Sequence, residues 1–209
     1  MPIGPVVRRA FGRHERKIAE MYRSIFVDLD DWVKMVREWA PAPQRILELG
    51  CGEGYSTERL VAAFPDAEID AIDIAYNIGR LYAGPPERVR FRVAFAENLA
   101  QENPHGYDLV ILSDVLHHVP ETARKSLLAA ARTLTAEGGV FLFKDWHRNA
   151  HPIYFVAYAA DRWIGGDRIA YLTREEARDL ITPHFGACSI VAERTVAPWR
   201  NNYAMCVRP

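Results

Sequence analysis

A short glycine-rich segment, Ile46-Leu-Glu-Leu-Gly-Cys-Gly-Glu-Gly-Tyr55, constrains the fold of this chain more than any other feature. Its first four residues form an apolar run typical of a buried strand, and the glycines that follow predict a tight turn. A second apolar run ends at Asp73, which lies 23 residues beyond Gly50. A strand, a glycine turn, a helix and a second strand ending in an acid predict an α/β unit that binds a nucleoside.

The spacing and charge of the glycine loop distinguish between two nucleoside ligands, a dinucleotide and S-adenosylmethionine. The glycines follow the pattern G-x-G-x-G, whereas G-x-G-x-x-G is the pattern that sets a pyrophosphate on a helix N-terminus. Glu48 and Glu53 also place carboxylates at the loop, where they would repel a pyrophosphate and attract an ammonium and a sulfonium. We therefore expect S-adenosylmethionine.

From about Arg45 to Trp146 the chain resembles the class I S-adenosylmethionine-dependent methyltransferases. The glycine loop and Asp73 carry part of this resemblance. The rest is in Leu112-Ser-Asp-Val-Leu-His-His-Val-Pro120, which is similar to the D-x-L-H-H-V segment of methyltransferases that act on quinones and natural products. The resemblance implies S-adenosyl-L-methionine as cofactor and S-adenosyl-L-homocysteine as product.

Alternating apolar runs predict a Rossmann-like α/β fold with a mostly parallel seven-stranded sheet and helices on both faces. The resemblance implies that the final strand is antiparallel. The strands are expected near 45–49, 68–73, 89–94, 107–113, 139–144, 187–194 and 203–208. The helices are expected near 56–63, 75–82, 121–134 and 173–182. Thr173 and Glu176 form a T-x-x-E capping box for the last helix.

Two segments outside this core are expected to cover the substrate, as elements at these positions do in the resembled family. Apolar residues from Ile18 to Val36 recur at helical spacing and predict one amphipathic helix, preceded by a loose arm. Residues 149–172 are rich in aromatic side chains and predict a helical insertion. The single expected domain, 1–209, divides into an arm and cap helix (1–43), a cofactor-binding core (44–146), the insertion (147–172) and a last helix with a hairpin (173–209).

Ligands of open parallel sheets lie beyond the carboxyl ends of the strands. Together with the resemblance, this rule places the methionine end of the cofactor at the glycine loop, the ribose at Asp73 and the adenine near Glu97. The alternative is that Glu97 is only a carboxylate favoured by a helix N-terminus. The expected cofactor-binding residues are Glu48, Gly50, Cys51, Gly52, Gly54, Asp73, Ile74, Ala96, Glu97, Asn98, Ser113 and Asp114.

Three residues after the fourth and fifth strands are candidates for catalysis: His117, His118 and Asp145. Methylation of a phenol or alcohol benefits from a base that titrates near neutral pH, which histidine supplies. At least one of the two histidines is expected to reach the acceptor, and the sequence does not choose between them. Asp145 has three open readings: it orients a histidine, binds a substrate hydroxyl, or forms a surface pair with a basic side chain.

Aromatic and amide side chains outside the cofactor loops are expected to bind the acceptor. Aromatic walls exclude water and favour a flat or apolar molecule. Two asparagines in the loop before the last strand suit a carbonyl or carboxylate, although they serve equally well to cap that loop. The expected substrate-binding residues are Tyr22, Phe26, Tyr154, Tyr158, Trp199, Asn201 and Asn202. No histidine or cysteine spacing predicts a metal site.

Composition adds several expectations about partners and location. The net charge of −1 gives no electrostatic reason to bind nucleic acid or an anionic membrane. No apolar run approaches the ~18–20 residues of a membrane span, and the N-terminus lacks the apolar core of a signal peptide. We expect a cytoplasmic monomer or homodimer whose partner is a small-molecule acceptor.

The sequence therefore predicts an S-adenosylmethionine-dependent methyltransferase that modifies oxygen or carbon of an aromatic, quinone-like or polyketide-like acceptor by in-line transfer. Two alternatives remain. A nucleic-acid or protein methyltransferase is weaker, because the chain lacks an Asn/Asp-Pro-Pro-Tyr motif and a basic face. A non-catalytic, cofactor-binding accessory subunit would keep the glycine loop without needing the histidines.

Overall fold

A computed structural model describes residues 14–160, 162 and 169–209. The predicted arm before the first helix and residues 161 and 163–168 of the predicted insertion lie outside this described part.

Seven strands form one mixed sheet in the order β3-β2-β1-β4-β5-β7-β6. They are β1 Arg45–Leu49, β2 Glu68–Asp73, β3 Val89–Val93, β4 Tyr107–Ser113, β5 Thr135–Trp146, β6 Ile190–Thr195 and β7 Asn202–Val207. Strands β1 to β5 pair in parallel, and β7 runs antiparallel to both β5 and β6. The predicted Rossmann-like sheet with an antiparallel final strand is confirmed. The loop between β6 and β7 lies at the carboxyl ends of the parallel strands.

Helices cover both faces of the sheet. They are α1 Glu15–Phe26, α2 Leu29–Trp39, α3 Tyr55–Ala63, α4 Ala96–Glu102, α5 Glu121–Leu134, α6 Pro152–Ala159 and α7 Arg174–Phe185. Alternate strand residues point to opposite faces, so Ile46 packs with α2 and α3 while Leu47 packs with α5 and α7. The Thr173–Glu176 capping box opens α7 as predicted.

The predicted helix at 75–82 is wrong, because this segment forms turns that pack on the glycine loop. The Gly79 amide donates to the Gly52 carbonyl at 2.9 Å, and the Leu81 amide donates to the Glu53 carbonyl at 2.9 Å. Gly79 has a φ of +63°, and an added Cβ would lie 2.9 Å from the Phe91 ring. Tertiary hydrogen bonds thus replace the helical ones that the local sequence favours.

The single N-terminal helix predicted over 18–36 is also wrong, because two helices meet at Val27 and Asp28. Val27 is buried, and the Asp28 carboxylate accepts hydrogen bonds from the amides of Asp30 and Asp31, both at 3.0 Å. This N-cap begins a second helix, α2. The apolar spacing continues across the break, so the sequence pattern did not indicate it. The sequence also left α4 without a predicted helix, and β5 begins at Thr135, four residues before the predicted start.

Replacing Asp28 by Ala should lower the free energy of unfolding by about 1 kcal/mol, because two amides of α2 lose their side-chain acceptor. Asp28→Asn keeps an accepting oxygen and should stay within about 0.5 kcal/mol of wild type. Chemical denaturation measures both values. Equal losses in the two variants would contradict the capping role.

Candidate active site

The glycine loop after β1 keeps one side open and one side closely packed. Gly50, Gly52 and Gly54 all have positive φ, between +52° and +91°. The Gly50 amide donates to the carbonyl of Ile72 at 2.8 Å, which ties the loop to the end of β2. A Cβ on Gly50 would lie 2.3 Å from Cγ2 of Val115, whereas no atom of the described residues lies within 4 Å of a Cβ on Gly52. Gly50 therefore serves packing, and Gly52 leaves space for a ligand.

The two glutamates of the loop are both bound within the protein. Glu48 is buried and its Oε2 accepts a hydrogen bond from Oγ1 of Thr57 at 2.6 Å. Burial raises the pKa of Glu48 against the opposing effect of that hydrogen bond. Glu53 forms an ion pair with Arg80 at 2.7 Å. The repulsion of a pyrophosphate predicted for these two residues is thus weakened by their local partners.

Asp73 is the carboxylate that faces the open glycine. Its Oδ2 accepts from the Gly52 amide at 2.8 Å, and its Oδ1 accepts from the Ala75 amide at 2.9 Å. Each carboxylate oxygen has a second lone pair, so both can also accept from vicinal hydroxyls such as those of a ribose.

A partly buried ion pair lies at the carboxyl ends of β4 and β5. The Nζ of Lys144, which is 0% exposed, donates to Oδ2 of Asp114 at 2.5 Å. The Asp114 amide also donates to the Lys144 carbonyl at 2.9 Å. Burial acts to raise the pKa of Asp114, but the charge and hydrogen bond of Lys144 outweigh it and lower that pKa. The other oxygen, Oδ1, is buried without a partner among the described residues, so it can accept from a bound cation or donor.

His117 and Asp145 form a second buried pair at the same edge. The two side chains are each 4% exposed, and Nδ1 of His117 lies 2.5 Å from Oδ1 of Asp145. Since a carboxylate accepts at Nδ1, that nitrogen carries the proton and Nε2 of the neutral ring keeps a lone pair. Of the three readings of Asp145, the surface pair is excluded by this burial. The contact with His117 matches the reading in which a carboxylate orients an imidazole, and the reading in which Asp145 binds a substrate hydroxyl stays a prediction.

The environment of His118 differs from that of His117. Its side chain is exposed, and its ring centroid lies 4.1 Å from that of His117. On the other side of His117, the ring of Tyr171 lies at 4.5 Å. The two adjacent rings therefore lie close together, and Nδ1 of His117 contacts the carboxylate of Asp145.

The expected adenine side is built from the ends of β2 and β3. Ile74 is exposed after β2, and Glu97 lies in the first turn of α4, where it accepts from Oγ of Ser126 at 2.9 Å. Phe95, exposed at the N-cap of α4, is a neighbour that sequence reasoning missed. The sequence feature that could have indicated Phe95 is an apolar residue directly after the third strand.

The aromatic residues meet around the end of β5. Phe26 of α1 lies 5.9 Å from Trp146, and Tyr22 lies 5.3 Å from Phe26. Tyr154 of α6 lies 5.8 Å from Tyr171 and therefore joins the ring that packs on the histidine. The remaining predicted aromatic residues adjoin these groups: Tyr158 lies 6.2 Å from Tyr154, and Nε1 of Trp199 donates to the Ile25 carbonyl at 2.5 Å.

The two loop asparagines are buried. Nδ2 of Asn201 donates to Oδ1 of Asn149 at 2.8 Å, which matches the loop-capping alternative. Asn202 is fully buried opposite Trp146 in the β5–β7 ladder, and its side-chain amide has no hydrogen-bond partner among the described residues. Its expected contact with a substrate stays a prediction.

The described residues contain neither a cluster of metal ligands nor a membrane-spanning helix. No group of three or more histidine, cysteine, aspartate or glutamate side chains there is arranged to hold a metal ion. Within the same residues, no helix has the length and apolar character needed to cross a membrane.

Substitutions of Gly50 and Gly52 should distinguish a residue that is needed for packing from one that leaves space for the ligand. Gly50→Ala should lower the free energy of unfolding by about 2–5 kcal/mol, because backbone strain adds to the clash with Val115. Gly52→Ala should cost only about 1–2 kcal/mol of strain, yet weaken S-adenosylmethionine binding. Denaturation and calorimetric titration measure the two effects. A Gly52→Ala variant that binds as wild type would contradict the open face.

Asp114→Asn should lower the free energy of unfolding at neutral pH by about 2–3 kcal/mol, because Lys144 is left buried without a counter-charge; partial exposure of the carboxylate reduces the usual cost. Adding Lys144→Met should restore most of that loss.

Because the folded pKa of Asp114 is lowered, the contribution of its carboxylate to the free energy of unfolding is complete above the ordinary pKa of about 3.9. That contribution is lost as the pH falls through the lower folded value. Denaturation of both variants against pH checks this, and a double variant as unstable as the single one would contradict it.

Comparison with known proteins relates the sequence of this chain to methyltransferases. Residues 47–141 match a family model described as a methyltransferase domain. The ubiquinone biosynthesis O-methyltransferase of Acinetobacter baylyi is 31% identical over 123 residues, which are 57% of this chain and 51% of that protein. The enzyme of the same name from Bordetella pertussis is 33% identical over 122 residues, or 56% of this chain and 49% of that protein. The chain thus spans about half the length of these relatives.

Solved structures share the fold at low identity. A Burkholderia thailandensis 1,6-didemethyltoxoflavin-N1-methyltransferase, with its acceptor and S-adenosylhomocysteine bound, has a TM-score of 0.69 at 18% identity and covers 98% of this chain and 87% of its own. A Streptomyces davawensis N,N-8-amino-8-demethyl-D-riboflavin dimethyltransferase has a TM-score of 0.70 at 17% identity, covering 100% of this chain and 62% of its own. The domain match over residues 47–141 and the sequence relatives support a class I S-adenosylmethionine-dependent methyltransferase, and the solved structures share its fold.

Proposed function

We propose that this chain transfers a methyl group from S-adenosylmethionine to an oxygen or carbon atom of a small, flat acceptor. The observation that carries the proposal is the buried His117–Asp145 pair, at the edge of the sheet where the glycine loop also lies. The glycine loop by itself would support only the binding of a cofactor and not catalysis. A histidine oriented by a carboxylate at the same edge adds a group suited to removing a proton.

The residues present fit S-adenosylmethionine. Asp73 would accept from the ribose hydroxyls, and Ile74 and Phe95 would flank the adenine. The open face at Gly52 would admit the methionine part, whose ammonium would donate to the unpaired Oδ1 of Asp114. When bound, the cofactor supplies a methyl group made electrophilic by the sulfonium.

His117 is the proposed general base. Its Nδ1–H donates to Asp145, so Nε2 is the ring nitrogen that would accept the proton of an acceptor hydroxyl. As the ring becomes an imidazolium, the carboxylate of Asp145 stabilises the new charge. Such a base contributes about 10²–10⁴-fold to a rate. The alignment of donor and acceptor supplies a further large part of the rate enhancement, since well-oriented reactions reach effective molarities of about 10⁵–10⁸ M.

The aromatic side chains beside His117 support a flat acceptor. Phe26, Trp146 and Tyr154 lie in one cluster with Tyr171, and such walls exclude water from a reacting pair. The named relatives act in ubiquinone biosynthesis or on toxoflavin and riboflavin derivatives, which supports a ring-bearing small molecule as the acceptor. A quinone-like or polyketide-like acceptor fits this description.

Transfer of a labelled methyl group tests the function. The protein is incubated with labelled S-adenosylmethionine and a fractionated extract of the source cells, beside an Asp73→Ala control. We expect label in the organic-soluble small-molecule fraction with the wild-type chain and not with the control. Label in RNA or protein would instead indicate a macromolecule modifier, and cofactor binding without transfer would indicate an accessory subunit.

With the acceptor identified, Asp145→Asn should lower kcat by about 10²-fold or more while leaving the Kd of S-adenosylhomocysteine unchanged, because only the orientation and charge of His117 are affected. Asp179→Asn, an exposed change on α7, is the matched control and should alter neither value. Steady-state kinetics and calorimetry give the two constants. Parallel losses of turnover and cofactor affinity would show that Asp145 supports the fold of the site instead.

A further inference from the structure

Arg124, the fourth residue of α5, is buried although none of the described carboxylates pairs with it. Its Nε donates to the Val119 carbonyl at 3.1 Å, and its Nη2 donates to the Ala170 carbonyl at 2.7 Å. The removal of a charge from water is costly when no opposite charge compensates it, and the helix dipole also disfavours a cation near a helix N-terminus. Stability alone therefore does not account for an arginine at this position.

The two carbonyls that Arg124 binds belong to different segments. Val119 lies in the turn after β4, which also carries His117, and Ala170 lies in the segment 169–172 that precedes α7. The Ala170 amide donates to the His117 carbonyl at 2.9 Å, while its carbonyl accepts from the arginine. Both polar backbone groups of Ala170 are thus bound to the turn of the histidine or to the helix that follows it.

The residue after Ala170 is Tyr171, whose ring packs on the imidazole of His117. Tyr171 is buried, and the two ring centroids are 4.5 Å apart with the planes inclined by 32°. Because the two residues are adjacent, the hydrogen bonds of Ala170 also determine where the tyrosine ring lies. A catalytic group keeps a productive orientation only when its neighbours restrict it through packing and hydrogen bonds. Asp145 supplies the hydrogen bond to the imidazole, and Tyr171 supplies the packing.

We propose that Arg124 is a positioning residue for the base: it holds Ala170 so that Tyr171 stays against His117 and Nε2 points toward the acceptor. The inference rests on the proposed function, in which His117 removes the proton. Arg124 itself touches neither substrate nor cofactor in this role. Tyr171 also contacts Tyr154 of α6 at 5.8 Å, so the same hydrogen bond supports one aromatic wall of the acceptor site.

Steady-state kinetics with the identified acceptor test the role. Arg124→Met should lower kcat by about 10- to 100-fold, because a small displacement of a catalytic group has an effect of this size. The Kd of S-adenosylhomocysteine should not change. Arg124→Lys should recover part of the loss, since an ammonium can still donate to one of the two carbonyls. Arg132→Met is the matched control: this arginine of α5 donates to the Thr135 carbonyl at 3.5 Å, at the opposite end of β5 from Asp145, and its loss should not alter kcat.

A double-mutant cycle distinguishes positioning from a general loss of structure. Tyr171→Leu alone should lower kcat about as much as Arg124→Met does. Adding Arg124→Met to Tyr171→Leu should then lower kcat by no more than about 2-fold, because the two changes remove the same support of His117. Losses that multiply in the double variant, or a Tyr171→Leu variant with the kcat of wild type, would overturn the proposal.

Proton NMR measures the contact without any acceptor. The wild-type chain should show nuclear Overhauser cross-peaks between the His117 and Tyr171 rings, as their separation requires. These cross-peaks should weaken severalfold in Arg124→Met and persist in Arg132→Met. Full cross-peaks in Arg124→Met would overturn the positioning role. If they weaken as expected but the wild-type chain transfers no methyl group to any fraction, the proposed function fails and the catalytic role of Arg124 with it, although the contact stands.

Discussion

The parallel pairing of β4 with β5 is the constraint on which the active site depends. Its register sets Ser113 opposite Lys144. As a consequence, the residues that follow β4 meet the last residues of β5: Asp114 meets Lys144, and His117 meets Asp145. Successive strand residues point to opposite faces, so a register shift of one residue would turn Asp145 away from the histidine and place Lys144 there instead. The Asp114–Lys144 and His117–Asp145 pairs therefore both depend on the same strand register.

The part of the site that holds the cofactor is defined locally, whereas the part that acts on the acceptor is assembled over long distances. The glycine loop, Asp73 and the turns at 74–83 hold one another through backbone hydrogen bonds. The acceptor side needs Phe26 from α1, Tyr154 from α6 and the loop before β7 to meet around Trp146.

The core of the fold could be predicted because short buried strands, glycine turns and the capping box are local signals. The helix at 75–82 failed because Gly79 and its neighbours bond to the glycine loop, a contact that no periodicity records. The break at Asp28 was missed because the apolar spacing runs through it. In the site, the sequence supplied both histidines and Asp145, but only burial and the partner at Nδ1 distinguish His117 from His118.

A crystal structure of the chain with S-adenosylhomocysteine tests the central claim most directly. The account predicts the ribose on Asp73, the methionine part over Gly52, and the sulfur facing Nε2 of His117 across a space that one acceptor atom can fill, with base and acceptor about 2.6–3.2 Å apart. A ligand whose sulfur lies on the far side of the loop from His117, or whose ribose avoids Asp73, would contradict it.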